Sequence, residues 1–151
     1  MAQTEPDSEI FEFAIFREIA AYNLYMALAK VVSNPDMRKV LEDFAKEELQ
    51  HKEQLELEIL KMGMVLPAEE DLSAPPGDSS IPSTDSLRNM NYKDILLLAI
   101  EKEETSFRTY VDLLPHITDP GSKDVLLAIA EEEVKHKLRF EIEYSMLTKK
   151  V

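Results

Sequence analysis

The chain has 151 residues, enough for one domain built around a single core and few for two. Thirty acidic against seventeen basic residues leave a net charge of -13, which repels phosphate backbones and anionic headgroups and so argues against a nucleic-acid or membrane partner. The absence of cysteine excludes disulfides, thiolate metal sites and cysteine nucleophiles, so any metal must be held by oxygen and imidazole.

Residues 1–8 are polar and acidic and read as an N-terminal tail without the basic start and apolar middle of a secretion signal. No apolar run reaches the ~18 residues needed to span a bilayer, and a cytoplasmic location is the default expectation. Helical periodicity then covers 9–32 and 35–62, joined at "SNP", where Asn34 stands at an N-cap and Pro35 at the first helical position. Residues 63–90 hold Gly63, Pro67, Pro75, Pro76, Gly77 and Pro82 and predict an irregular crossover. Periodicity resumes over 91–115 and 120–148, with Asp119 and Pro120 of "TDP" repeating the first joint.

A shift of 85 residues aligns 10–62 with 95–147 without a gap, and 16 of the 53 positions are identical. The chain is therefore an internal duplication. Two helical hairpins joined by a long crossover predict an all-α four-helix bundle over residues 9–151, since each hairpin alone would leave half a core in water.

Each helix carries a glutamate at the centre of its apolar stripe. At 100° per residue Glu18 is flanked by Phe11, Ala14, Ile15, Ala21, Tyr22 and Tyr25, and Glu103 by Leu96, Ala99, Ile100, Phe107 and Tyr110. Glu48 lies among Leu41, Phe44, Ala45, His51 and Leu55, and Glu133 among Leu126, Ile129, Ala130, His136 and Phe140. Burying one unpaired carboxylate costs several kcal/mol, and four together repel one another, so something positive must compensate them. His51 and His136 follow Glu48 and Glu133 at i+3, on the same face; Lys52 and Lys137 sit nearer the stripe edge. Two divalent cations cancel four carboxylate charges. Each Glu-x-x-His pair is expected to serve one ion, with Glu18 and Glu103 bridging or completing the shells, and oxygen plus imidazole ligands suit iron or manganese. A metal-free polar network is the alternative.

The stretches "AIFREIAAYNLY" and "AIEKEETSFRTY", with "EELQH" and "EEEVKH", resemble the ferritin-like superfamily of di-iron carboxylate proteins, and within it the rubrerythrin family. The resemblance covers both hairpins, 9–62 and 91–148, and implies a ferritin-like bundle with metal ligands Glu18, Glu48, His51, Glu103, Glu133 and His136. It implies two iron ions that reduce hydrogen peroxide or O2, and bundles of this kind commonly form homodimers. Peroxide-reducing rubrerythrins carry a further glutamate three residues after the third-helix ligand, where this chain has Ser106. They also usually carry a cysteine-rich rubredoxin domain, so here the electrons are expected from a separate donor protein. Tyr22, one turn beyond Glu18, is the candidate proton or hydrogen-bond donor, with core filling as its alternative. Tyr25 and Tyr110 read as packing residues, and His116, at a hairpin end, as a surface residue. Ferroxidase or iron-handling activity is the competing function, and a structural bundle with protonated glutamates the third.

Overall fold

The computed structural model describes residues 5–72 and 84–149. Helix α1 spans Glu5–Val31 and α2 Pro35–Lys61; a short helix α3, Thr84–Arg88, leads into α4, Tyr92–Leu113, and α5 runs Pro120–Lys149. These are the four long helices of the ferritin-like bundle that the periodicity and the resemblance imply. The crossover keeps one 3-10 turn at Glu69–Asp71 before the undescribed residues 73–83, where Pro75, Pro76, Gly77 and Pro82 lie. No described helix is long and apolar enough to cross a membrane.

The hairpin joints are formed by the predicted caps. Asn34 Oδ1 accepts from the backbone N–H groups of Asp36 and Met37 at 2.9 and 3.2 Å, and Pro35 opens α2 without a donor to waste. Asp119 Oδ2 accepts from the Ser122 N–H at 2.9 Å at the head of α5. At the far end of α2, Gly63 takes φ 78° and the Met64 N–H reaches back to the Ile59 carbonyl at 3.2 Å. A glycine is needed there because side chains rarely adopt that left-handed backbone.

Two expectations are corrected. Residues 1–8 are not all tail: α1 begins at Glu5, and Asp7 is fully buried. Its carboxylate accepts from the Thr118 N–H at 2.9 Å, the Thr118 hydroxyl at 3.0 Å and the Asp119 N–H at 3.2 Å, tying the first turn of α1 to the α4–α5 joint. These three bonds offset the cost of burying the charge. Asp7→Ala leaves the backbone donors unmet and is expected to cost about 1–3 kcal/mol, read as a lower midpoint in urea with an unchanged slope. The crossover is not wholly irregular either, since α3 inserts Leu87 into the core with no exposed surface.

The core is two apolar clusters stacked along the bundle. One gathers Leu24, Tyr25, Leu28, Met37, Leu41, Leu87, Leu96 and Phe140. The other gathers Phe11, Ile15, Leu55, Ile59, Tyr110, Leu126 and Ile129. On every long helix the central glutamate falls in the sequence gap between the residues of one cluster and those of the other.

Candidate metal centre

All six predicted side chains are buried and meet in that gap. Glu48 and Glu133 have no exposed surface, Glu18 and Glu103 keep 1%, His136 2% and His51 6%. Their ligating atoms form two overlapping groups, Glu18, Glu48, His51 and Glu133, and Glu48, Glu103, Glu133 and His136, each with its atoms within 4.8 Å of one another. Of the two places expected for Glu18 and Glu103, bridging or completing a shell, the grouping fits the second: each belongs to one group, while Glu48 and Glu133 belong to both. The reason is the pairing between hairpins, which sets the two Glu-x-x-His helices beside each other along the centre line and is invisible in the spacing on a single helix.

One nitrogen of each imidazole faces the carboxylates. His51 Nδ1 lies 3.0 Å from Glu18 Oε1, 3.3 Å from Glu48 Oε1 and 3.2 Å from Glu133 Oε1. His136 Nδ1 lies 2.7 Å from Glu103 Oε2 and 3.6 Å from Glu48 Oε1. A single N–H cannot satisfy three carboxylates, and both oxygens of Glu48, both of Glu133 and Glu103 Oε1 accept no well-formed hydrogen bond although they are out of reach of water. Five orphaned carboxyl oxygens converging on two imidazole nitrogens are the donor set that a pair of hard divalent cations fits.

The electrostatics point the same way. Burial, reinforced by the neighbouring Glu133 charge, raises the Glu18 carboxyl to about 7, and burial holds Glu48 and Glu103 well above the usual carboxylate range. Burial also works to raise Glu133 and to lower His51, but their mutual contacts outweigh it. The close Glu103 carboxyl and His51 imidazole, with the two histidine charges, bring Glu133 down to about 2, while three carboxylates push His51 up to about 12. The cluster thus holds protons where metal would otherwise supply the positive charge. The edge lysines do not supply it: Lys137 pairs with Glu104 at 2.6 Å and Glu141 at 3.8 Å, and Lys52 with Glu56 and Glu69 at 3.5 and 3.9 Å.

Residues that read in the sequence as packing touch the outer glutamates. Tyr110 donates its hydroxyl to Glu18 Oε2, and its repeat partner Tyr25 lies against Glu103, so each repeat's tyrosine leans on the other repeat's outer glutamate. Burial first, then the glutamate charges, raise both phenols well above their ordinary value, so both stay protonated. Tyr22, the expected donor, is half-buried and packs against the apolar residues around Leu24. Tyr110 is the tyrosine with a hydrogen bond to a carboxylate of the cluster. The sequence spacing of seven pairs Tyr110 with Glu103 and Tyr25 with Glu18, so it does not reveal these crossed contacts. Tyr110→Phe is expected to weaken metal at the Glu18 position by roughly tenfold while the fold survives, measured by cobalt(II) titration.

Two more polar residues frame the site. Glu47 Oε1 accepts from His136 Nε2 at 3.2 Å, which leaves Nδ1 free to face the cluster. Ser106, in the place of the further family glutamate, accepts from the buried Arg17 guanidinium at 2.9 and 3.2 Å. His116 is exposed, as expected.

No curated protein matches the chain. Among solved structures, a hypothetical protein from Pyrococcus furiosus is similar over 98% of this chain and 93% of its own, with a TM-score of 0.71 and 21% identity, which shows a shared fold. A sequence profile of the rubrerythrin family matches residues 9–144, a span that contains all six clustered side chains. The chain belongs to the rubrerythrin family.

Proposed function

We propose that the protein is a non-haem di-iron oxidoreductase that reduces hydrogen peroxide or O2, drawing electrons from a separate donor protein. The observation that supports this reading is the sharing of Glu48 and Glu133 between two four-ligand groups, an arrangement that would hold two cations side by side. Iron held by Glu18, Glu48, His51, Glu103, Glu133 and His136 would supply two electrons, one per ion, to the oxidant, with manganese as the other metal the donor set suits. With hydrogen peroxide the balance is two electrons and two protons in, two waters out.

The chain's own residues prepare the site for this. Tyr110 fixes Glu18 through its hydroxyl, and Glu47 fixes His136 through Nε2. The apolar clusters above and below keep bulk water from the pair, which strengthens every ionic contact inside. Tyr110 donates a hydrogen bond to Glu18, and Tyr25 keeps its proton beside Glu103.

Ferroxidase or iron-handling activity is the second reading. Ser106, bonded to Arg17 where peroxide-reducing relatives carry a carboxylate, favours it. The test is to load the protein with iron anaerobically, reduce it, and add hydrogen peroxide with an excess of artificial electron donor. Many peroxides consumed per chain, with the iron retained, support the oxidoreductase. One oxidation per iron supplied, with Fe(III) released or accumulating, supports iron handling. A protein that takes up no metal is a structural bundle.

A further inference from the structure

The duplication predicts two equivalent metal positions, but the side chains around them break the equivalence. Between α2 and α5 a cleft of about 160 Å³ opens onto His51, lined by Glu47, Gln50, Gln54, Ala128, Ile129 and Glu132. Gln54 and Ala128 also line a second hollow of about 380 Å³ further along the same seam, so the opening continues outward. Shifting these positions by 85 residues gives the corresponding surroundings of His136. Ile129 corresponds to Phe44, Ala128 to Asp43 and Gln54 to Arg139. Phe44 stacks on the His136 ring, with centroids 3.9 Å apart and planes 19° from parallel, and packs edge-on against Phe140. Arg139 is turned toward Glu143 at 3.4 Å. Glu47 completes the closure by holding His136 Nε2. The His136 imidazole is therefore locked by a stacked ring and a hydrogen bond, whereas His51, although 94% buried, borders an open cleft with carboxylates at its rim.

We propose that the two metal positions exchange at different rates: the ion at His51 enters and leaves through the α2–α5 cleft, and the ion at His136 is retained. This rests on the di-metal reading above. The rim suits the traffic assigned to it, since Glu47 and Glu132 attract a divalent cation, and a small neutral oxidant such as hydrogen peroxide passes them without repulsion while an anion does not. Glu47 acts here as a positioning residue, through His136 rather than by touching the ion.

The test uses full-length protein loaded with two cobalt(II) ions and challenged with excess EDTA, following the cobalt absorption. The expected release has two phases of equal amplitude. Ala128→Phe, at an exposed position, imitates the ring on the closed side and is expected to merge the fast phase into the slow one; Gln54→Arg serves the same purpose if that variant does not fold. Glu47→Ala is expected to speed the slow phase by roughly tenfold or more, and Glu47→Gln, which keeps an acceptor oxygen, to restore it. Loss of both ions in one phase from the unmodified protein, or a fast phase unaltered by both cleft variants, overturns the proposal and leaves the di-metal reading standing. Failure to bind cobalt at all would overturn that reading instead.

Discussion

Glu48→Gln is expected to abolish binding at both metal positions, and His51→Ala at only one. Glu48 contributes an oxygen to each four-ligand group, so replacing its carboxylate removes a ligand and a negative charge from both ions together. His51 belongs to one group, and its loss leaves Glu48, Glu103, Glu133 and His136 intact for the other. The amide keeps the volume of the acid, so packing is preserved. Glu48 is fully buried and neither of its oxygens accepts a well-formed hydrogen bond, so in metal-free protein at pH 8 its replacement is expected to raise stability by about 1–3 kcal/mol. Gain of apo stability with loss of both metals is a combination that damage to the fold does not produce. Cobalt(II) titration and thermal melting in EDTA read the two effects, and two ions still bound to Glu48→Gln would contradict the sharing of Glu48 between the two positions.

The second large effect is that metal-free protein loses stability as pH rises from about 5 to about 8. Glu18 is raised from 4.5 to about 7 by burial, so between those values the folded state binds a proton that the unfolded state has released. Its favourable contribution is complete below the unfolded value and is lost as pH rises through 7. His51, raised from 6.5 to about 12, has the same sign: above 6.5 the folded state again binds the extra proton, and stability falls with pH. Glu133 has the opposite sign, but its pKa of about 2 against 4.5 puts its rise below about pH 5, outside this window. Glu18 alone corresponds to about 3 kcal/mol across the window, since one pKa unit is about 1.4 kcal/mol. Metal reverses the dependence, because the ligands must be deprotonated to bind and each ion taken up displaces protons. Melting midpoints in EDTA at pH 5.5 and 8, beside those of metal-loaded protein, check both halves. A metal-free protein more stable at pH 8 would contradict the buried-carboxylate account.

The six clustered side chains were legible because each glutamate sits at the centre of an apolar stripe, where a solvated residue has no place, and because the duplication repeats every feature of the pattern. What a single helix cannot display is which helix stands next to it. The place of Glu48 and Glu133 in both ligand groups depends on the approach of α2 to α5, and Tyr110 reads as core filling because the carboxylate it serves is 92 residues away in the chain. Asp7 reads as tail for a related reason. Periodicity registers apolar residues, and a buried acid whose partners are the Thr118 and Asp119 backbone leaves no trace in it. Leu87 is one apolar residue on a five-residue helix, too short for a period to show. The inequivalence of His51 and His136 was written in the sequence as the points where the repeat fails, Phe44 against Ile129 and Asp43 against Ala128, but those differences acquire meaning only once the cleft between α2 and α5 is seen.

The central claim is that two cations neutralise four buried glutamates, and its most direct test is an anaerobic titration of metal-free protein with Fe(II), monitored by calorimetry and by the melting temperature. The account predicts an equivalence point at two ions per chain, proton release on binding, and a melting temperature that climbs until that point and then levels. Saturation at fewer than two ions, or a melting temperature indifferent to metal, would contradict it.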